Sequence, residues 1–309
     1  MSAATAAAAA VQVLGGVTLA PLLPGTIQAA KARLQGRRGP SPLQPYRDLR
    51  KLWGKSVADP QPTTFVYRVA PPLVAAATAL ALLLVPIAGV APNWGLGDDA
   101  LVLVGLLALA RFAIAASSWD SGSGFALMGS SRDLTFAAFA EALLLAALIL
   151  AALPAGGTAL GAMARAANGS GPWSEPAHWC GAVAFALVLL VETGRQPIDN
   201  PDTHLELTMI HEGPLLEYAG RDLALLQWSA AARHWIVIVL AAGLFLPHWG
   251  GFGAQLAYLA AGIVVLCAGL ALSETTQAKM RILRVPGLLM GGCLLAFVGL
   301  ATWLLGASI

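Results

Sequence analysis

Eight stretches of this chain are almost wholly apolar: residues 8–30, 69–91, 100–116, 134–153, 177–192, 234–250, 254–274 and 285–306. Crossing the hydrocarbon of a bilayer takes about 20 such residues in helical form, so the pattern predicts eight transmembrane helices. The second stretch is uncharged, while the third and fourth carry one internal charge each, Arg111 and Glu141. The fifth is short and needs its flanking residues to span. Abundant Ala and Gly permits close helix approach in lipid. Pro71, Pro72, Pro86 and Pro247 are placed to kink or end helices. No segment between the stretches exceeds about forty residues, too short to build a soluble core. The expectation is an all-α integral membrane protein, one membrane domain over residues 1–309.

The polar connections sort by charge. Lys31, Arg33, Arg37, Arg38, Arg47, Arg50, Lys51, Lys55 and Arg68 follow the first stretch, whereas the next connection has no basic residue and carries Asp98 and Asp99. Arg132 lies in the third connection and only Arg165 in the fourth. Arg195, Arg221 and Arg233 edge the fifth, and Lys279, Arg281 and Arg284 occupy the last. All but Arg111 and Arg165 of the 18 Lys and Arg therefore fall on alternate connections. By the positive-inside rule this places both termini on the outer side. The N-terminal stretch lacks a basic n-region and runs into a basic segment, so it reads as a retained helix and not a cleaved signal.

Composition agrees. The chain is 58% hydrophobic and 11% charged, less than half the usual charged fraction of about 25%. Cys180, Cys267 and Cys293 lie inside apolar stretches without partners at metal-ligand spacing, which offers no iron–sulfur or zinc site. The net charge of +2 gives no indication of nucleic-acid binding.

Three inside segments hold the candidate chemistry. In Gln35–Val57, a basic turn with Arg37 and Arg38 precedes an amphipathic pattern of Leu43, Tyr46, Leu49, Leu52 and Trp53, with Arg47, Arg50, Lys51 and Lys55 on other faces. This predicts an interfacial helix, serving either as a headgroup anchor or as a dock for a soluble partner. Ser117–Asp133, rich in Gly and Ser, reads as an irregular or re-entrant turn, with Arg132 and Asp133 at the boundary of the following helix. Glu141, inside that helix, should point into the bundle and either form a structural hydrogen bond or carry protons.

The third segment, 192–222, concentrates Glu192, Asp199, Asp202, Glu206, Glu212, Glu217 and Asp222, with His204 and His211 among them. Asn200-Pro201 and Thr203-x-x-Glu206 read as a helix start with a capping box. Capping leaves Glu192, Asp199, Glu212 and Glu217 unexplained. Without local basic partners, acids crowded at a low-dielectric boundary repel one another, so some of their pKa values should rise toward neutrality and the segment should pass protons; the histidines suit the same role.

These motifs resemble those of the eight-helix membrane subunit shared by respiratory complex I (NADH–quinone oxidoreductase) and membrane-bound NiFe-hydrogenases. RRGPSPLQPYRDLRKLW is similar to the family's R-x-G-P segment and amphipathic helix, and GSSRD to its stretch before the fourth helix. ETGRQPIDNPDTHLE resembles its E-x-x-R-x-P-x-D acidic loop, and LLEYAG its E-Y-S/A-G ending. The long THLELTMIHEGPLLEYAG run looks like the branch found in hydrogenase-4 and formate hydrogenlyase.

The resemblance implies a component of a bacterial cell inner membrane that couples redox chemistry in a soluble arm to proton or sodium movement. The corresponding component of complex I, with a quinone site, is the alternative, and a free-standing transporter the more remote one. Glu141, Glu192, Asp199, Asp202, Glu206, Glu212 and Glu217 would line the proton path. Arg37, Arg38, Arg47, Arg132, Arg195 and His211 would face the partner or a quinone cavity. The implied partners are hydrogenase large and small subunits, a ferredoxin-like iron–sulfur subunit and antiporter-like membrane subunits. These would carry the NiFe centre and iron–sulfur clusters, with none in this chain.

Overall fold

The computed structural model describes residues 3–91, 98–199 and 210–306, and the described residues are helical apart from short connections. Each apolar stretch lies mainly in helix, although the second and sixth run past their helix ends at Leu84 and Phe245. Six helices are long and apolar enough to cross a membrane: α4 (Phe65–Leu84), α5 (Ala100–Ser121), α6 (Gly124–Ala152, continued by one 3-10 turn to Ala155), α10 (Gly220–Phe245), α11 (Phe252–Thr276) and α12 (Val285–Gly306, entered by a 3-10 turn from Ile282). The fifth stretch forms the 17-residue α9 (Pro176–Glu192), shorter than a usual span. The first is broken: α1 (Ala3–Leu14) passes through a π-helical stretch, Gly15–Leu19, and bends by 56° into α2 (Leu22–Leu34). Three shorter helices are α3 (Gln44–Trp53), α7 (Leu160–Ala167) and α8 (Gly171–Ser174).

Local chemistry sets these boundaries. Asp120 accepts hydrogen bonds from the Thr64 and Tyr67 amides and the Thr64 hydroxyl, tying the start of α4 to the end of α5. Asp99 caps α5 by accepting from the Leu101 amide at 2.7 Å. Pro86 and Pro247 lie just beyond the ends of α4 and α10, where no further helical N–H is needed. Pro71 and Pro72 instead fall within α4.

The turn expected over 117–133 is much smaller than its composition suggests. Gly122, at φ +65°, ends α5, and α6 begins two residues later. The serines do not break these helices because their hydroxyls donate to carbonyls of the preceding turn, Ser117 and Ser118 to Ile114 and Ser121 to Ser118. Arg132 and Asp133 are therefore inside α6, not at its boundary.

Helix α10 forms the centre, with 72% of its apolar window buried against 22% for α11 and α12, and α4, α9 and α11 pack around it. The break in the first span is held from α10, whose Trp228 indole donates to the Val17 carbonyl at 3.1 Å, and from α4, where buried Gln12 donates to the Leu83 carbonyl at 2.8 Å. The predicted amphipathic helix is α3. It packs on α2 and α10, and α2 approaches the preceding strap so closely that a Cβ on Gly25 would run into the Pro42 carbonyl.

A cavity joined to a buried charge cluster

A cavity of about 590 Å³ opens where α2, α3, α10 and the end of α9 meet the inside segments. Pro21, Pro24 and Gln28 wall it from the broken span, and Gln44, Pro45, Asp48 and Leu49 from α3. Tyr218, Leu223, Leu226 and Gln227 supply another wall. Its polar lining includes Arg111, Asp133, Glu192, Asp199, His211, Glu212, Arg233 and His234.

Arg111, 4% exposed in the middle of α5, organises these groups. Its guanidinium donates to Glu192 at 2.7 Å and to Glu141 at 2.8 Å, and its Nε is 3.5 Å from Asp133. The far oxygen of Glu192 lies 3.8 Å from Arg233. A buried cation is tolerable only with compensation of this kind. Asp199 lies on the adjoining loop, its Oδ1 2.8 Å from Lys279 and its Oδ2 3.4 Å from His211 Nδ1. Burial pushes the Asp199 carboxyl up, but the His211 contact and the Lys279 ammonium outweigh it and hold the pKa at about 2.

For Glu192 and Asp199 this corrects the expectation of unpaired acids, and for Asp199 that of a raised pKa. Glu192 and Asp199 are paired with cations remote in sequence, and Asp199 is shifted down. Among the described residues, three linked cations (Arg111, Arg233, Lys279) face four carboxylates (Asp133, Glu141, Glu192, Asp199). In a second buried group Glu274 takes both Arg195 at 2.7 Å and Lys31 at 3.1 Å.

The other sequence candidates disperse. Arg37 and Arg38 line a separate shallow pocket with Arg33 and Pro40, and Arg47 is on α3. Arg195 is buried against Glu274, not in the cavity. Arg132 lies on α6 beside the cluster's Asp133 but does not line the cavity. Glu212 lines the cavity, whereas Glu217 is outside its wall and takes the Tyr67 hydroxyl on its backbone carbonyl at 2.8 Å. Tyr67 and Tyr218 stack with centroids 4.4 Å apart, and burial pushes the Tyr218 phenol up to about 12. Asp202, Glu206, His204 and the capping box lie outside the described residues. Among the described residues, no group of three or more His, Cys, Asp or Glu is placed to hold a metal ion.

Sequence reasoning assigns no chemical role to Lys31, Arg111, Asp133, Arg233, His234, Glu274 or Lys279. One signal is available: Arg111 and Glu141 are lone charges in apolar stretches, and in lipid such groups pair with one another.

Comparison with known proteins agrees with this architecture. The family described as NADH dehydrogenase matches residues 7–304. Formate hydrogenlyase subunit 4 of Escherichia coli (strain K12) is 34% identical, over 94% of this chain and 97% of its own length. Hydrogenase-4 component C of the same organism is 34% identical, over 93% and 92%. An NADH-quinone oxidoreductase subunit of Cereibacter sphaeroides (strain ATCC 17029 / ATH 2.4.9) is 29% identical, over 77% and 78%. A chain in the structure of the membrane-bound sulfane sulfur reductase, an archaeal respiratory membrane complex, superposes with a TM-score of 0.80 at 21% identity, covering 93% of this chain and 95% of that one.

Proposed function

Because this chain belongs to the NADH dehydrogenase family, with hydrogenase-type membrane subunits among its relatives, we propose that it anchors and couples an energy-converting complex of the formate hydrogenlyase or hydrogenase-4 type. In this reading it spans a bacterial inner membrane eight times, with the broken α1–α2 pair and α9 as two of the spans and both termini outside. The basic face of Arg37, Arg38 and Arg47 receives a soluble arm made of hydrogenase large and small subunits and a ferredoxin-like subunit, which carry the NiFe centre and iron–sulfur clusters. Antiporter-like subunits adjoin it in the membrane.

One observation carries the coupling role: the Arg111 cluster is continuous from the cavity, at Glu192 and Asp133, to Glu141 on a membrane-spanning helix. A change of charge in the arm above the cavity shifts the balance of a cluster with three cations and four carboxylates. The cluster responds by exchanging a proton, and Glu141 passes it onward. The partly exposed Glu141 is the better residue to alter, because neutralising the deeply buried Glu192 would strand Arg111. In the native complex, reconstituted in vesicles, Glu141→Gln is expected to preserve assembly and electron transfer while abolishing ion movement. Normal ion movement in that variant would refute the coupling role.

A second reading has its own observation. The cavity places Tyr218 and His211 around a largely apolar space of about 590 Å³, a setting suited to a quinone head group, as in the complex I reading of the sequence. The proteins that purify with this chain separate the two readings: a nickel–iron large subunit supports the first, a flavin subunit with quinone reductase activity the second.

A further inference from the structure

Among the described residues, the cluster divides into two parts joined by one ring. Asp133 belongs to the Arg111 side and presents Oδ2 to Arg111 Nε and Oδ1 to His211 Nε2, the latter at 3.8 Å. Asp199 belongs to the loop side and presents Oδ1 to Lys279 and Oδ2 to His211 Nδ1, at 3.4 Å. Each carboxylate is thus held by a cation through one oxygen and turns the other toward the imidazole.

The ring's position is built by the backbone. Gly194, at φ +60°, follows α9, and a Cβ there would lie 3.0 Å from His211 Nδ1, inside ordinary contact distance. The absent side chain lets the ring rest against the loop with one nitrogen toward each carboxylate. The ring is 26% exposed and lines the cavity. The other titratable groups facing it are Glu192 and His234, and Glu212 adjoins it in the chain.

We propose that His211 is the proton link between the cavity-side loop and the membrane-side cluster, passing protons between Asp199 and Asp133 through its two nitrogens. The assignment rests on the coupling function proposed above. A proton entering from the cavity rests only transiently on the Asp199 carboxylate, which binds it weakly, and passes to Nδ1 to give the imidazolium. Release of the other proton from Nε2 to Asp133 leaves the neutral ring protonated at Nδ1. Passage in the reverse direction, or loss of the Nδ1 proton to cavity water and gain of one at Nε2, restores the starting tautomer, and no other reactant is consumed. The longer gap closes with a displacement of about 1 Å or through one water. Among the described residues the linked set holds one more carboxylate than cations, and an imidazolium brings their formal charge to zero.

The test uses the native complex in vesicles, with redox turnover and dye-reported proton uptake measured together. His211→Ala is expected to slow proton uptake by roughly a hundredfold. Free imidazole, which the cavity can admit, should restore it, whereas 1-methylimidazole, which fills similar space but lacks one exchangeable nitrogen, should not. Equal restoration by both compounds would mean that the ring only fills space, and would overturn the proposal. Proton uptake intact in His211→Ala but lost in Glu141→Gln would overturn the link while leaving the coupling function standing. Uptake intact in both would overturn the two together.

Discussion

Asp199 is the residue whose surroundings most change how its chemistry is understood. A carboxylate on an acid-rich loop is expected to repel its neighbours, yet Lys279 and His211 take up both its oxygens. Its folded pKa of about 2 lies below the ordinary 3.8, so the folded state binds the proton more weakly than the unfolded chain. The resulting stabilisation is present above about pH 4 and fades as the pH falls toward 2, amounting to roughly 2 kcal/mol when complete. Asp199→Asn should therefore lower thermal stability in detergent at about pH 7, and the difference from the parent should shrink at about pH 3. A difference that stayed constant with pH would show that Asp199 acts through shape and not charge. No pattern in the sequence points to Lys279 as its partner, because the two are 80 positions apart and meet only when α11 and α12 close on the loop.

At the scale of elements, hydropathy reveals most of the architecture because lipid leaves the backbone few alternatives. The eight apolar stretches all lie mainly in helix, and the pattern of Leu49, Leu52 and Trp53 against Arg47 and Arg50 places α3. The composition of 117–133 misleads because Gly and Ser density signals a loop in water. In an apolar bundle, the same hydroxyls find carbonyls on their own helix. The 56° break in the first span is marked in the sequence by Gly15-Gly16, Pro21 and Pro24, and it is held by contacts from α3, α4 and α10. One of its neighbouring contacts is open to test. Gly25→Val should force α2 away from the Pro42 carbonyl and destabilise the protein by about 1–3 kcal/mol. Gly105→Ala, whose Cβ meets nothing within 4 Å, serves as the control and should change little. Equal melting of the two variants would show that the strap is not packed on α2 in the membrane.

Across the whole molecule, charge is divided between two ends. The cavity, the Arg111 cluster and the basic segments gather at one, while Asp98 and Asp99 join the 158–161 turn at the other. The orientation assigned above predicts that a cysteine at position 50 reacts with an impermeant maleimide only from the inner side, and one at position 157 only from the outer. Cys180, Cys267 and Cys293 would first be replaced by alanine. Labelling of both positions from one side would reject the eight-span arrangement.

The length of α6 has a mechanical meaning. Its 29 residues extend about 44 Å, well beyond a hydrocarbon thickness of about 30 Å. Its protruding turn is wedged at Gly129 against Gly213 and Pro214, close in the chain to His211. No proline or glycine interrupts it from Ser130 to Glu141. The helix is thus a stiff rod, with one end leaning on the cavity-side segment and Glu141 fixed to its shaft about 18 Å away. A sideways push on the 213–215 turn tilts that rod as a lever, so Arg111 and its carboxylates feel movement at the cavity as well as charge.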